Sequence, residues 1–191
     1  MMETERKQRA KEEYVIVLDY LKHGYSNDSR PFHMKEPILQ VIGKDHFVLL
    51  ELIPKPNLNF KANDEVYIGD GERDQIEYIK GSLKIEKLTQ SAKNELKFIV
   101  EKLVDENNEK YINFFNNSGP LSLRSHQLEI LPGIGKKHAR ELLAEREVEP
   151  FKDFEDIKKR ISSVPNPKKA IIERILNELE DKDRFKLFVR V

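Results

Sequence analysis

The chain contains no cysteine and no tryptophan, and only three methionines. Without cysteine there is no disulfide scaffold, no thiolate zinc site and no thiol nucleophile. No apolar run approaches the roughly 18 residues needed to cross a bilayer, and Met1–Lys11 is a charged arm without the core of a signal peptide. A soluble cytoplasmic protein is expected. Net charge is absent too: 34 basic side chains balance 34 acidic ones among 191 residues, which argues against polycation behaviour. The charge is not evenly spread: residues 119–191 carry 16 basic against 13 acidic groups, offset by a slight acidic excess upstream. Such mixed charge without cysteine also occurs in heat-adapted proteins. Five scattered histidines lack metal-ligand spacing, and neither a Gly-Lys-Ser/Thr phosphate loop nor a Gly-x-Ser-x-Gly elbow occurs. With no catalytic constellation in view, the expectation is a non-enzymatic protein without cofactor or metal.

What is present divides by period. Tyr14–Leu21, Pro37–Ile42 and His46–Ile53 read as strands, the last two joined by a tight Gly43-Lys44-Asp45 turn. Glu65–Ile68, Ile76–Ile79 and Leu83–Ile85 continue the extended pattern around Gly69-Asp70-Gly71 and Gly81. Short strands with frequent turn signals predict a small barrel over 14–88. The five-stranded oligonucleotide-binding type fits the length; a translation-factor barrel or an open sandwich fits almost as well. From Thr89 the apolar spacing becomes helical through Leu96, Ile99, Val100, Leu103 and Val104, with Thr89 or Ser91 as N-cap. A second short helix around Tyr111–Phe115 completes a connector over 89–118. Phe185, Leu187, Val189 and Val191 alternate, so 184–191 is expected to be a strand returning to the barrel.

The most informative string is Leu131-Pro-Gly-Ile-Gly-Lys-Lys137. One helix supplies Leu128 and Leu131, a turn runs from Pro132 to Gly135, and a second helix supplies Ala139, Leu142 and Leu143. The glycines allow backbone angles other residues resist and leave room for a phosphate. A helix start exposes unpaired N–H groups backed by the positive end of the dipole, so the turn is a candidate anion site. The expected binding groups are Gly133, Ile134 and Gly135 through their amides, with Lys136, Lys137 and Arg140 adding charge. The plainer alternative is a turn that only packs helices.

A shift of 33 residues lays Val164-Pro-Asn-Pro167 over Leu131–Ile134. It also matches Lys169 to Lys136, Ile172 to Ala139, Ile161 to Leu128 and Phe154 to Leu121. In this copy Asn166 suits an N-cap and Pro167 the first helical position, but Pro167 has no N–H and both glycines are gone. The second copy is therefore expected to be mainly structural, with Lys168 and Lys169 able to touch phosphate by charge alone.

The string resembles the helix-hairpin-helix motif of DNA repair and recombination proteins, and the shifted copy makes 119–183 resemble its tandem, SAM-like form. Beyond it the chain, from about Tyr14 to Val189, resembles an uncharacterised archaeal family described as RNA- or nucleic-acid-binding. The likeness rests on Tyr67-Ile-Gly-Asp-Gly-Glu-Arg-Asp74, Phe114-Phe-Asn116, Arg124-x-His126, the glycine string and Pro150-Phe-Lys-Asp-Phe-Glu-Asp156. It implies a multi-domain α+β fold: an oligonucleotide-binding-type barrel followed by the tandem module. It also implies RNA or DNA as partner. In the loop from Lys22 to Lys35, Tyr25, Arg30, Phe32 and His33 combine rings with charge, as single-strand-binding barrels do; a plug for the barrel end is the alternative. Asp70, Glu72 and Asp74 lack calcium-hand spacing and read as a polar turn holding an Arg73–carboxylate pair. A competing expectation is a protein-interaction adaptor that keeps the fold and docks a repair or translation partner through Phe151, Phe154 and the barrel.

Overall fold

A computed structural model describes residues 11–190; of the polar arm and the terminal strand expected above, 1–10 and 191 lie outside the described residues. The chain is mixed α and β, and divides into two compact units, 11–99 with 188–190, and Val100–Leu187. The division falls inside a helix.

In the first unit, β1 (Tyr14–Leu21), β2 (Ile38–Gly43), β3 (Leu49–Pro54), β4 (Glu65–Tyr67) and β5 (Ile76–Ser82) form one sheet of order β4-β1-β2-β3-β5. Every neighbouring pair is antiparallel. Directions therefore alternate along the sheet, and the edge strands β4 and β5 run the same way without pairing. The expected barrel is a curled half-barrel. Val15, Val17, Leu39, Val41, Leu52, Phe60, Val66, Ile68 and Ile76 form its buried core cluster. Ile16, Leu18 and Ile42, on the opposite parity of β1 and β2, are buried as well, which explains why these two strands are apolar without alternation.

Gln40 is the one buried polar side chain in this apolar stretch of β2. Its Oε1 accepts from Thr89 N (2.9 Å) and its Nε2 donates to Lys87 O (3.1 Å) and the Tyr25 hydroxyl (2.8 Å). Those bonds fix the start of α1 (Gln90–Glu106) against the sheet. Thr89 is the N-cap, accepting from Ala92 N (3.0 Å) while its hydroxyl donates to Asp19 (2.6 Å).

Two local expectations are corrected. The β2–β3 connection is longer than a tight Gly43–Asp45 turn, because Phe47 takes a left-handed φ of 57° to bury its ring and delays β3 to Leu49. Glu12 organises this loop, its carboxylate accepting from Asp45 N (3.0 Å) and His46 N (2.8 Å). The glycine at 43 follows from that, since a Cβ there would overlap the Glu12 side chain. Second, Leu83–Ile85 is no strand: β5 runs on to Ser82, and Ile85–Lys87 is a 3-10 turn feeding α1.

The second unit holds α2 (Asn108–Asn117), a two-stranded ribbon of β6 (Pro120–Ser122) and β7 (Ser125–His126), α3 (Lys136–Val148), α4 (Phe154–Arg160) and α5 (Pro167–Leu179). Leu128, Leu131, Ile134, Ala139, Leu142, Phe154, Ile157, Ile161, Ile172 and Ile175 are buried, as the helical spacing requires. Leu143 and Leu176, which the 33-residue shift makes equivalent, are both only half-buried. Asn116 joins distant segments by holding both Phe151 backbone groups, accepting from N (2.8 Å) and donating to O (2.9 Å).

The expected helix carrying Leu128 is shorter than anticipated, a single 3-10 turn over Gln127–Ile130. Gly119-Pro120 and the serines at 122 and 125 favour extended chain, so β6–β7 takes residues a longer helix would need. His126 caps what remains, its Nδ1 accepting from Leu128 N (3.1 Å). The C-terminal segment is corrected too: 184–190 contains no regular strand. Within the first unit it makes a ladder-like bond, Arg190 N to His46 O (3.1 Å), and buries Phe188 and Val189.

Candidate nucleic-acid interface

Corresponding backbone bonds begin the two turns of the second unit. Leu131 N donates to Leu128 O (3.2 Å) in the first, and Val164 N to Ile161 O (3.1 Å) in the second. They then diverge. In the second turn Asn166 is the N-cap of α5, its Oδ1 accepting from Lys169 N (3.0 Å), and Pro167 at the helix start has no N–H to leave open. Under the 33-residue shift, the first turn has Gly133 where Asn166 stands. Gly133 adopts φ +78°, and a Cβ on it would come 3.1 Å from Pro165 of the other turn. The chain thus makes one more bend before α3 begins, with Gly135 as N-cap.

Gly135 offers no side-chain cap. The first intrahelical bond is Ala139 N to Gly135 O (2.9 Å), which leaves the amides of Lys136, Lys137 and His138 outside the ladder. A Cβ on Gly135 would meet nothing within 4 Å, so the space before these amides is open. His138 steadies the bend by donating from Nδ1 to Gly133 O (3.2 Å). Ile134 does something other than expected. Its side chain is buried and its amide already donates to Leu131 O (3.0 Å), so it anchors the turn and has no N–H to offer. The open donors lie one step further along the chain.

The charges around the two turns differ in the same sense. Lys136 and Arg140 are exposed and, among the described residues, carry no ion pair. Lys137 lies 4.0 Å from Glu141. Lys168, in contrast, is paired with Asp105, and Lys169 stands 3.7 Å from Glu173.

Sequence reasoning missed the brace behind the first turn. Buried Arg174 donates to Ile130 O (3.0 Å), to Glu178 (2.7 Å) and to Phe185 O, and Glu178 also accepts from Leu187 N (2.7 Å). An arginine amid the apolar stripe of Ala170, Ile171 and Ile175 was the available signal.

The candidates in the first unit divide. Tyr25 is held by Glu51 and Gln40, and burial together with the Glu51 carboxylate pushes its phenol up to about 12. It is a structural tyrosine. Arg30 is engaged by Asp28 (2.8 Å), whose own carboxyl the guanidinium holds down at about 2, with Glu36 4.0 Å away. Phe32 and His33 sit on an exposed 3-10 turn, and the Phe32 ring leans on His23 at 4.6 Å between centroids. In the Tyr67–Asp74 string Arg73 donates to Gly69 O (3.0 Å) rather than to a carboxylate, and Asp70 pairs with Lys11 (3.0 Å). Gly71 N donates to the Tyr67 hydroxyl (2.9 Å), so this string is a loop folded around a tyrosine.

Among the described residues no helix is long and apolar enough to cross a membrane. A curled antiparallel sheet followed by a helical unit with one open and one capped helix start defines the class of molecule. The chain belongs to the DUF655 family, described as a protein of unknown function, which it matches over residues 11–190. It is 41% identical to the uncharacterised protein MJ0038 of Methanocaldococcus jannaschii over 181 residues, covering 94% of this chain and 80% of that one. It is likewise similar to the crystal structure of Af1531 from Archaeoglobus fulgidus, of the same family. There the identity is 41% and the TM-score 0.84, with 93% of this chain and 99% of that one covered. Both relatives are archaeal.

Proposed function

We propose that this protein binds nucleic acid without chemistry of its own, gripping the phosphate backbone of RNA or DNA at the start of α3. The observation that carries the reading is the asymmetry of the two turns. Where α5 satisfies its first turn with Asn166 and Pro167, α3 leaves three consecutive amides open beneath a glycine with free space before it. A 13-residue helix dipole and the exposed Lys136, Lys137 and Arg140 favour an anion at that point. In this reading Gln127–Val148 acts as a helix-hairpin-helix, α4 and α5 are its structural second copy, and the half-barrel is an oligonucleotide-binding-type domain. The exposed Phe32, His33 and His23 then offer a second, stacking surface. Phosphate contacts fix position and carry little sequence information, so affinity is expected to depend weakly on sequence and steeply on salt.

The test is a salt titration of binding to labelled duplex and single-stranded DNA and RNA. Lys136→Ala with Lys137→Ala should keep the fold and flatten the dependence of log K on log salt, by about 0.9 for each duplex phosphate no longer neutralised. Lys168→Ala with Lys169→Ala should change it less, because those lysines answer to Asp105 and Glu173. Equal reductions from both pairs would reduce the interaction to diffuse electrostatics. Absence of binding at low salt would overturn the reading.

A further inference from the structure

The β6–β7 ribbon turns through two residues, Leu123 and Arg124, and their chemistry is unusual for that place. Two-residue hairpin turns favour Gly, Asn or Asp, which accept positive φ or bond their own backbone. Here neither residue has a positive φ, and the turn is closed by its flanks instead. The Ser122 and Ser125 hydroxyls meet at 2.9 Å, and Arg124 N donates to Ser122 Oγ (3.2 Å). The base of the ribbon is equally fixed. Gly119 N donates to the Gln127 side chain (2.9 Å), and Arg146 reaches from α3 to Ser118 O (3.0 Å) and Phe115 O (3.1 Å). On this hydrogen-bonded stalk Leu123 is fully exposed, at 106% of its reference area. Arg124 beside it is exposed and, among the described residues, has no ion pair. Turn formation does not call for this pair. With both φ negative and Ser122 closing the turn, its two central positions are open to most residues, so the fully exposed leucine is free to serve a partner outside the chain.

A lone exposed leucine between serines and an arginine is too small for a protein interface, which needs a contiguous apolar patch. It does match the width of a base step. Apolar side chains that enter such a step unstack it, with cations on the flanking phosphates.

We infer that the Leu123–Arg124 tip is a wedge: Leu123 enters a base step of double-helical nucleic acid at a weak point such as a bulge, and Arg124 contacts the adjoining phosphate. The inference rests on the nucleic-acid reading above. It adds a second point of attachment in the same unit, joined to the glycine turn through the 3-10 turn at Gln127–Ile130. The glycine turn supplies affinity, and the tip selects helices that yield at a step.

The test uses the full chain and a bulged duplex with 2-aminopurine beside the bulge, whose fluorescence rises on unstacking, alongside an unbroken duplex. Wild type should bind the bulged duplex about tenfold more tightly, in keeping with the lower cost of opening a defective step, and raise its fluorescence at saturation. Leu123→Ala should abolish both the preference and the rise, while Leu123→Phe retains them. Arg124→Ala should flatten the salt dependence by about one unit in slope. Lys136→Ala with Lys137→Ala should weaken both duplexes alike yet leave the rise at saturation. Circular dichroism confirms that the variants, all at exposed positions, are folded. Binding without a fluorescence rise, or an unchanged rise in Leu123→Ala, overturns the wedge and leaves the phosphate grip standing. Failure of the wild type to bind either duplex at low salt removes the grip and the wedge together.

Discussion

Gly133 and Gly135 stand two residues apart and carry different burdens. At Gly133 the left-handed φ and the approach to Pro165 both oppose a side chain, so Gly133→Ala should destabilise the fold by about 1–2 kcal/mol in urea unfolding. Gly135 has an extended conformation with nothing near, and Gly135→Ala should leave the midpoint almost unmoved. Its methyl group would nonetheless stand in the open space before the amides, so nucleic-acid affinity should fall while stability holds. If both substitutions cost stability and neither affects affinity, the turn is merely structural. His126 provides a pH test at the same scale. Burial, and then the nearby Arg146 charge, hold its pKa below the ordinary value, and its Nδ1 lone pair accepts from Leu128 N. Because the folded-state pKa is depressed, its contribution is present above the unfolded value of about 6.5 and is lost as pH falls through the folded one. His126→Asn should remove that acid-side loss, read as the difference in melting temperature between neutral and mildly acidic buffer.

Among elements, the contrast between α3 and α5 matters most. Both begin after turns that the 33-residue shift makes equivalent, but α5 is capped by its own residues and α3 has no side-chain cap on its first amides. Asn166→Ala removes a bond to Lys169 N and should cost about 1 kcal/mol, as N-cap losses do. The matching change that closes the first turn, Gly135→Asn, should give the opposite pair of results. An Asn at the N-cap of α3 would bond its own helix, raising the melting temperature while competing with phosphate and weakening binding. A gain in both stability and affinity would contradict the view that the open amides are the binding donors.

For the whole chain the C-terminal segment is decisive, since its residues are tied within each unit separately. Leu187 N is held by Glu178 in one, and Arg190 N by His46 O in the other, with Phe188 and Val189 buried. Deleting 184–191 should lower the melting temperature in calorimetry; an unchanged transition would show these bonds to be incidental. The buried Arg174–Glu178 pair that holds the segment makes a sharper forecast. Arg174→Met takes the Arg174 cation away from the fully buried Glu178 and should cost about 3–5 kcal/mol, whereas Arg174→Met with Glu178→Leu should recover most of the loss.

Local chemistry alone determined a good deal. The helical stripe from Leu96 to Val104, Thr89 as a cap, Asn166 and Pro167 as a helix start, and the 33-residue correspondence could all be read from spacing and residue type. Each depends on neighbours within a turn or two of the chain, where period and capping rules act. Tertiary structure decided the rest. Whether five antiparallel strands close depends on the direction of the two edges, which no strand pattern encodes. Residues 119–126 favour extended chain locally, but the base of their ribbon is also held by Arg146 from α3, a contact no local pattern announces. Ile134, an amide donor by its place in the string, has its N–H taken by Leu131 once the turn is folded, Arg30 is engaged by Asp28 two residues before it, and Tyr25 is claimed by the Glu51 carboxylate that folding brings to it. Residue type sets what a group can bind, but the folded backbone, through partners near and distant in sequence, determines whether that group is still free.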